Sequence, residues 1–206
     1  MRNYDAATLD AINARAGLVP HRLIWVAARN RDTAATEYLG LWTGEDDVQL
    51  SVEGQVRSYA GAGAVLQGDA ITAGSGLEVR VHVLALAAVA PEVEALVKGY
   101  ETRFAPVEIH RALFDPATRA LIGAPHRIFR GMIDQIDFPT DPAGGAPACT
   151  VQLVSETRIL TRTLALKKSD DSHRRRDAGD GFRKYGDISG SVPVYWGEAR
   201  AAEVST

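Results

Sequence analysis

With one cysteine, Cys149, in 206 residues, this chain has no internal disulfide framework and no zinc or iron–sulfur centre held by its own cysteines. In its strand-like surroundings Cys149 reads as a small buried hydrophobe, not a nucleophile. No apolar run reaches the roughly 18 residues of a membrane-crossing helix. The opening MRNYDAATLD also lacks the apolar core of a secretory signal. The expectation is a soluble chain made in the cytoplasm, without membrane insertion. A net charge of −3 opposes general affinity for nucleic acid. The apolar content of 46% is enough for the core of one domain or two small ones.

Catalytic signatures are also missing. The five histidines (His21, His82, His110, His126 and His173) are scattered, with no HxxxH or HExxH pair, and read as satisfied or solvent-facing imidazoles. Gly61-Ala62-Gly63 has no third glycine at the dinucleotide offset and no helix pattern behind it, so it reads as a turn or bulge between strands. Asp134 and Asp137, three apart on a strand, point to opposite faces and cannot easily share a proton. Glu45-Asp46-Asp47 is a charged turn without the ligand ladder of a calcium loop. Ser155 and Ser169 lack a nucleophile elbow. The expectation is a chain that is not an enzyme and carries no cofactor or metal.

The chain does carry β pattern. HRLIWVAAR, EYLGLWTG and VQLSVEG read as successive strands after Pro20. From Leu77 to Leu86, Leu77, Val79, Val81, Val83 and Ala85 alternate with Glu78, Arg80 and His82, which predicts a strand burying the apolar set. Two short helices punctuate the strands. One covers roughly residues 5–16, with Ala6, Leu9, Ile12 and Ala16 on one face and Gly17 as the stop; the other covers 91–99, opened by Pro91 and ended by Gly99. After Pro106, VEIHRALF is a half-exposed strand and Asp115-Pro116 a turn. Ala120–Gly123 reads as a short return strand, and Arg127–Phe138 as a long one bent at Gly131. A Pro/Gly loop then leads to a partner strand, Thr150–Arg158. The reading is a mainly β chain with two short helices: an N-terminal β-rich part (1–105), a β-hairpin part (106–160) and an extended basic and aromatic arm (161–206). The first two form either separate subdomains or one continuous β assembly.

The arm is the most unusual stretch. Between Arg162 and Gly186 eight lysines and arginines face four aspartates, so this window carries +4 in a chain of −3. Phe182 is the only large apolar side chain between Lys167 and Lys184, too little to offset about 1–2 kcal/mol of backbone entropy per ordered residue. Such a segment orders best against a partner. As a nucleic-acid site, Arg174, Arg175, Arg176, Arg183 and Lys184 would contact phosphates beside Phe182 and Tyr185. As a subunit-interface arm, Arg174, Arg175, Arg176 and Arg183 would fork onto carboxylates of a neighbour, with Phe182, Tyr185, Tyr195 and Trp196 as anchors. The interleaved aspartates favour the second reading, because they repel phosphates.

Several motifs occur in a recognisable order. GLWTGEDDVQLSVEGQVRSYAGAGAVL is followed by APVEIHRALFDPATRALIGAPHRIFRGMIDQIDF, then by VQLVSETRILTRTLALKKSDDSHRRRDAGDGFRKY, and finally by VYWGE. This order resembles tail-tip proteins of long-tailed bacteriophages, prophages and gene transfer agents. The resemblance rests on the FRGxID hairpin, the SETRxLTRT strand end, the arginine-rich arm and a terminal Trp-Gly. It implies β-barrel or β-sandwich tail-hub-like domains and a structural role in the hub or distal-tail adaptor ring of a siphophage-type virion assembled in the bacterial cytoplasm. Implied partners are further copies in a ring (three-fold favoured, six-fold possible), neighbouring tail-tip and tail-tube proteins, the tape-measure protein and receptor-binding or fibre proteins. DNA enters only as transiting genome. Hub relatives can carry a cysteine-rich extension binding an iron–sulfur cluster; with Cys149 alone, this chain is not expected to hold one.

Overall fold

The computed structural model describes residues 4–61, 65–72, 74, 76–87, 90–138, 148–161, 163, 167–186, 188, 190 and 191. Its elements run α1 (Ala6–Ala14), β1 (Val19–Asn30), β2 (Thr36–Trp42), β3 (Val48–Val52), β4 (Gln55–Tyr59), β5 (Val65–Gly68), β6 (Val81–Ala87), α2 (Pro91–Gly99), β7 (Tyr100–Glu101), β8 (Pro106–Phe114), β9 (Leu121–Asp137), β10 (Ala148–Ser155), a 3-10 turn (Glu156–Thr161) and α3 (Asp170–Arg176). The chain is mainly β, and its large sheet curls into a half-barrel. The chain divides into two compact units, residues 1–161 and 162–206.

In the first unit the antiparallel sheet has the order β2-β1-β8-β9-β10-β6-β5, with β7 adding a short pairing to β1. The boundary expected near Pro106 falls inside this sheet. β1 pairs with β8 from Val19↔Phe114 to Val26↔Val107, and β6 pairs with β10, so strands from both sides of residue 106 share one ladder.

Alternation along β1 and β8 explains why the unit has two cores. Ile24, Val26, Val107 and Ile109 face the main core with Leu41, Leu84, Leu86, Phe129, Ile133, Cys149, Val151 and Leu153, and α2 adds Val93 and Leu96. Leu23 and Ala112 point the other way, into a smaller core that the β3–β4 hairpin closes with Leu50, Val52 and Tyr59 beside Trp42. Burying both faces of β1 at Leu23 and Ile24 contributes at about 25 cal/mol per Å2 on each side. It also brings the polar face of β8 under the hairpin.

Several sequence expectations need correction. The 77–86 strand starts only at Val81, and the opposite face is the buried one: His82, Leu84 and Leu86 are buried while Leu77 is 75% exposed and Val81 is exposed. The main core selects the parity, and a shift of one residue exchanges the faces of a strand. His82 is accepted there because its ring stacks edge-on against Phe129 at 4.9 Å. The short strand expected at 120–123 and the long one at 127–138 are a single strand, β9, that accommodates Pro125 where its pairing to β8 slips between Arg111 and Leu113. Gly131 lies in regular pairing with Val107 and Ser155; the β9–β10 slip lies between Gln152 and Leu153, opposite the 133–135 stretch. The partner strand ends at Ser155, and the chain continues in the 3-10 turn.

α2 occupies the residues expected, with Pro91 in its first turn. α1 is shorter than expected and buries Thr8, while Leu9 and Ile12 stay exposed. Asp5 caps it: one carboxylate oxygen accepts from the Thr8 amide at 2.8 Å and the other from the Ala124 amide at 2.7 Å.

Candidate functional site

The polar side of β8 carries Glu108 and His110, two residues apart and therefore on one face. The β3–β4 hairpin folds over that face. Arg57 on β4 donates to Glu108 Oε2 at 3.0 Å, and its guanidinium lies over the Trp25 ring, 5.1 Å from the centroid. Glu53, at the hairpin turn with φ 51°, brings Oε1 to 3.6 Å from His110 Nε2. Arg127 Nη1 on β9 spans both carboxylates, 3.3 Å from Glu53 and 3.4 Å from Glu108.

This cluster is more buried than an ordinary surface ion network. The His110 side chain has no exposed surface, that of Arg57 is 8% exposed and that of Glu108 21%. Both His110 ring nitrogens, Arg57 Nε and the Tyr59 hydroxyl are buried without a hydrogen-bond partner.

Burial pushes the His110 imidazole below its ordinary value, against the pull of Glu53 and Glu108, and the Arg57 charge adds to the depression. The ring is held neutral. Burial pushes the Glu108 carboxyl up, but the Arg57 hydrogen bond and charge outweigh it, and the net value lies below the ordinary range. Burial also raises the Tyr59 phenol, with Arg57 opposing. A cleft of about 500 Å3, lined by Tyr38, Gly40, Asp47, Gln49, Ser58 and Tyr59, opens beside Tyr59.

Of the cluster, the sequence drew notice only to His110, and as a satisfied or solvent-facing imidazole; the structure instead buries it fully with neither ring nitrogen hydrogen-bonded. Glu108 and His110 look like the wet half of an alternating strand, and only the hairpin, some fifty positions earlier, covers them. The available signal was small: Ala112 continues the same face after His110, as a residue under a lid would.

The residues singled out from sequence lie in the second unit. Arg174, Arg175 and Arg176 form the last turn of α3, which the expectation of an extended arm did not include. Ser169 caps this helix by accepting from the Ser172 amide at 3.3 Å. Acidic residues in its first turn and basic ones in its last complement the helix dipole.

The aspartates do more than repel phosphates. Asp170 pairs with Arg174 at 2.7 Å, Asp171 with Arg175 at 2.8 Å, and Asp180 with Arg176 at 3.8 Å and His173 at 3.0 Å. The Phe182 amide, followed by His173, holds the Asp180 carboxyl below its ordinary range. Arg183 donates to the Lys168 carbonyl at 3.2 Å. Phe182 is 85% exposed and Tyr185 65%, the latter under the Lys184 ammonium. Tyr195 and Trp196 lie outside the described residues.

Cys149 is fully buried in the main core, where burial raises its thiol above the ordinary value; a thiol kept protonated is a poor nucleophile. Asp134 pairs with Arg158 at 3.1 Å and Asp137 accepts from Gln135 at 2.7 Å, so the two carboxylates serve different neighbours. No protein-family model and no curated protein matches the chain.

Proposed function

We propose that this protein is a structural component of the distal tip of a siphophage-type tail, a hub or adjoining distal-ring subunit that assembles through its C-terminal arm. The observation that carries this reading is the second unit's surface. Phe182 and Tyr185 stand exposed beside a helix whose three consecutive arginines are themselves exposed and, among the described residues, pair with Asp170, Asp171 and Asp180. The ordered motifs of the sequence supply the tail-tip context.

An exposed i,i+4 pair contributes about 0.3–0.5 kcal/mol, so exchanging Asp171 for a carboxylate of a neighbouring subunit costs little. Exposed aromatic rings are the side chains most able to anchor such a contact. The arm would therefore keep its helix in the free subunit and change ion-pair partners on assembly. A closed ring, three-fold favoured and six-fold possible, gives each arm an identical neighbour to reach.

Nucleic-acid binding is the less favoured reading, because the aspartates interleaved with the arginines would repel phosphate but can be replaced by a neighbour's carboxylates in the ion pairs. Replacing Arg174, Arg175 and Arg176 together by alanine tests the proposal. Electron microscopy of particles should show tails lacking a subunit that is folded and abundant in the lysate. Normal tails carrying the triple change would contradict the arm's role, and salt-dependent retention of the free wild-type chain on DNA would favour the alternative.

A further inference from the structure

The hairpin turn and the polar face of β8 converge one imidazole and two carboxylates onto a single point. Glu53, Glu108 and His110 each offer a ligand atom within 4.8 Å of the others. We propose that these three residues form a binding site for a divalent transition-metal ion, zinc being the best match to the donor set, and that Arg127 competes with the metal for the two carboxylates.

His110 is the observation that points to a ligand. Its ring is fully buried, neither nitrogen has a hydrogen-bond partner, and Nε2 faces Glu53 Oε1 at 3.6 Å. That separation is close to the edge of a tetrahedron built from bonds of about 2.1 Å, which is about 3.4 Å. The ring is held neutral by burial, the protonation state in which imidazole binds a metal.

Glu108 is oriented in advance. Arg57 holds its Oε2 at 3.0 Å and leaves Oε1 turned towards Arg127. Ligating carboxylates are commonly oriented by an outer hydrogen bond of the kind Arg57 supplies here. Glu53 sits on the hairpin turn with 43% of its side chain exposed, so an ion can enter past it and the carboxylate can close the remaining distance.

Arg127 Nη1 already bridges the two carboxylates, which marks the point between them as favourable to positive charge. Its side chain is 38% exposed and can withdraw into solvent. One nitrogen and two carboxylate donors suit zinc, whereas magnesium prefers oxygen donors alone and keeps its water.

The test is calorimetric titration of the full-length, untagged chain with zinc chloride, with magnesium chloride as control and melting temperatures read alongside. Zinc should bind the wild type and raise its melting temperature with concentration. Glu53→Gln, at an exposed turn where folding is little affected, should weaken zinc binding by roughly tenfold or more, and His110→Gln should remove it. Arg127→Gln should strengthen it several-fold. Absence of zinc heat in both the wild type and Arg127→Gln overturns the site. So does an undiminished response in Glu53→Gln, or a magnesium response equal to that of zinc.

Discussion

The side chain of Asp5 and the amide of Ala124, 119 positions apart in the chain, meet in a 2.7 Å hydrogen bond that ties the start of α1 to the irregular stretch of β9. The other carboxylate oxygen caps α1 itself. Gly123 sits under this contact with φ +65°, and a Cβ there would strike the Asp5 carboxylate. One side chain therefore holds both a helix end and a bulge.

The Asp5 contact predicts a pH dependence. The Thr8 hydroxyl, then the Ala124 and Thr8 amides, hold the Asp5 carboxyl below its ordinary range in the folded protein. The unfolded chain therefore takes up the proton first as pH falls. The stabilisation is complete above the unfolded value of about 3.9 and is lost as pH drops through the lower folded value. Asp5→Asn should melt below the wild type at neutral pH, and the gap should narrow as pH falls towards 3.9 and below. Circular-dichroism melts across that range measure it; a gap that widens in acid would refute the role of the charge.

Two glycines predict unequal losses on replacement by alanine, for different physical reasons. A Cβ on Gly131 would collide with the Val154 carbonyl of β10 and approach the Phe129 ring to 2.7 Å, so the β9–β10 ladder must move. Gly131→Ala should cost about 3 kcal/mol, at the upper end of overpacking effects, because the obstacle is backbone. Gly54, in the β3–β4 turn at φ +80°, has open space around it, so Gly54→Ala should cost only the left-handed strain of about 1–2 kcal/mol. Urea unfolding of the two variants gives the comparison directly. Equal destabilisation would mean that strand contact at Gly131 does not limit the fold.

Local pattern made much of the β framework legible. β1, β2 and β3 begin and end close to their apolar runs, and α2 lies between the proline and glycine that mark it. The face of β6 was not legible, because Val81, Val83 and Ala85 alternate as cleanly as Leu84 and Leu86, and only packing against Phe129 decides between them. α3 was legible in principle: a capping serine, two aspartates in the first turn and three arginines in the last form a helix signature that net charge conceals. The buried charge cluster was not, since its members come from the hairpin, β8 and β9 and look individually like surface residues.

Within that cluster, Arg57 and Glu108 predict strong non-additivity. The pair is 3.0 Å apart under the hairpin, with the guanidinium almost wholly buried. Glu108→Gln leaves Arg57 buried with no charged partner at that distance, and should cost about 2–4 kcal/mol, somewhat below the figure for a fully enclosed pair because Glu108 keeps some exposure. Arg57→Met leaves Glu108 with only Arg127, a weaker loss. The double variant Arg57→Met, Glu108→Gln removes both charges and their desolvation penalties. It should recover most of the stability lost by Glu108→Gln. Urea midpoints of the three variants measure the coupling. A double variant as destabilised as its two single changes added together would mean that Arg57 and Glu108 are not coupled. Recovery would mean that the pair adds little net stability and that the loss in Glu108→Gln comes from leaving Arg57 buried without its partner.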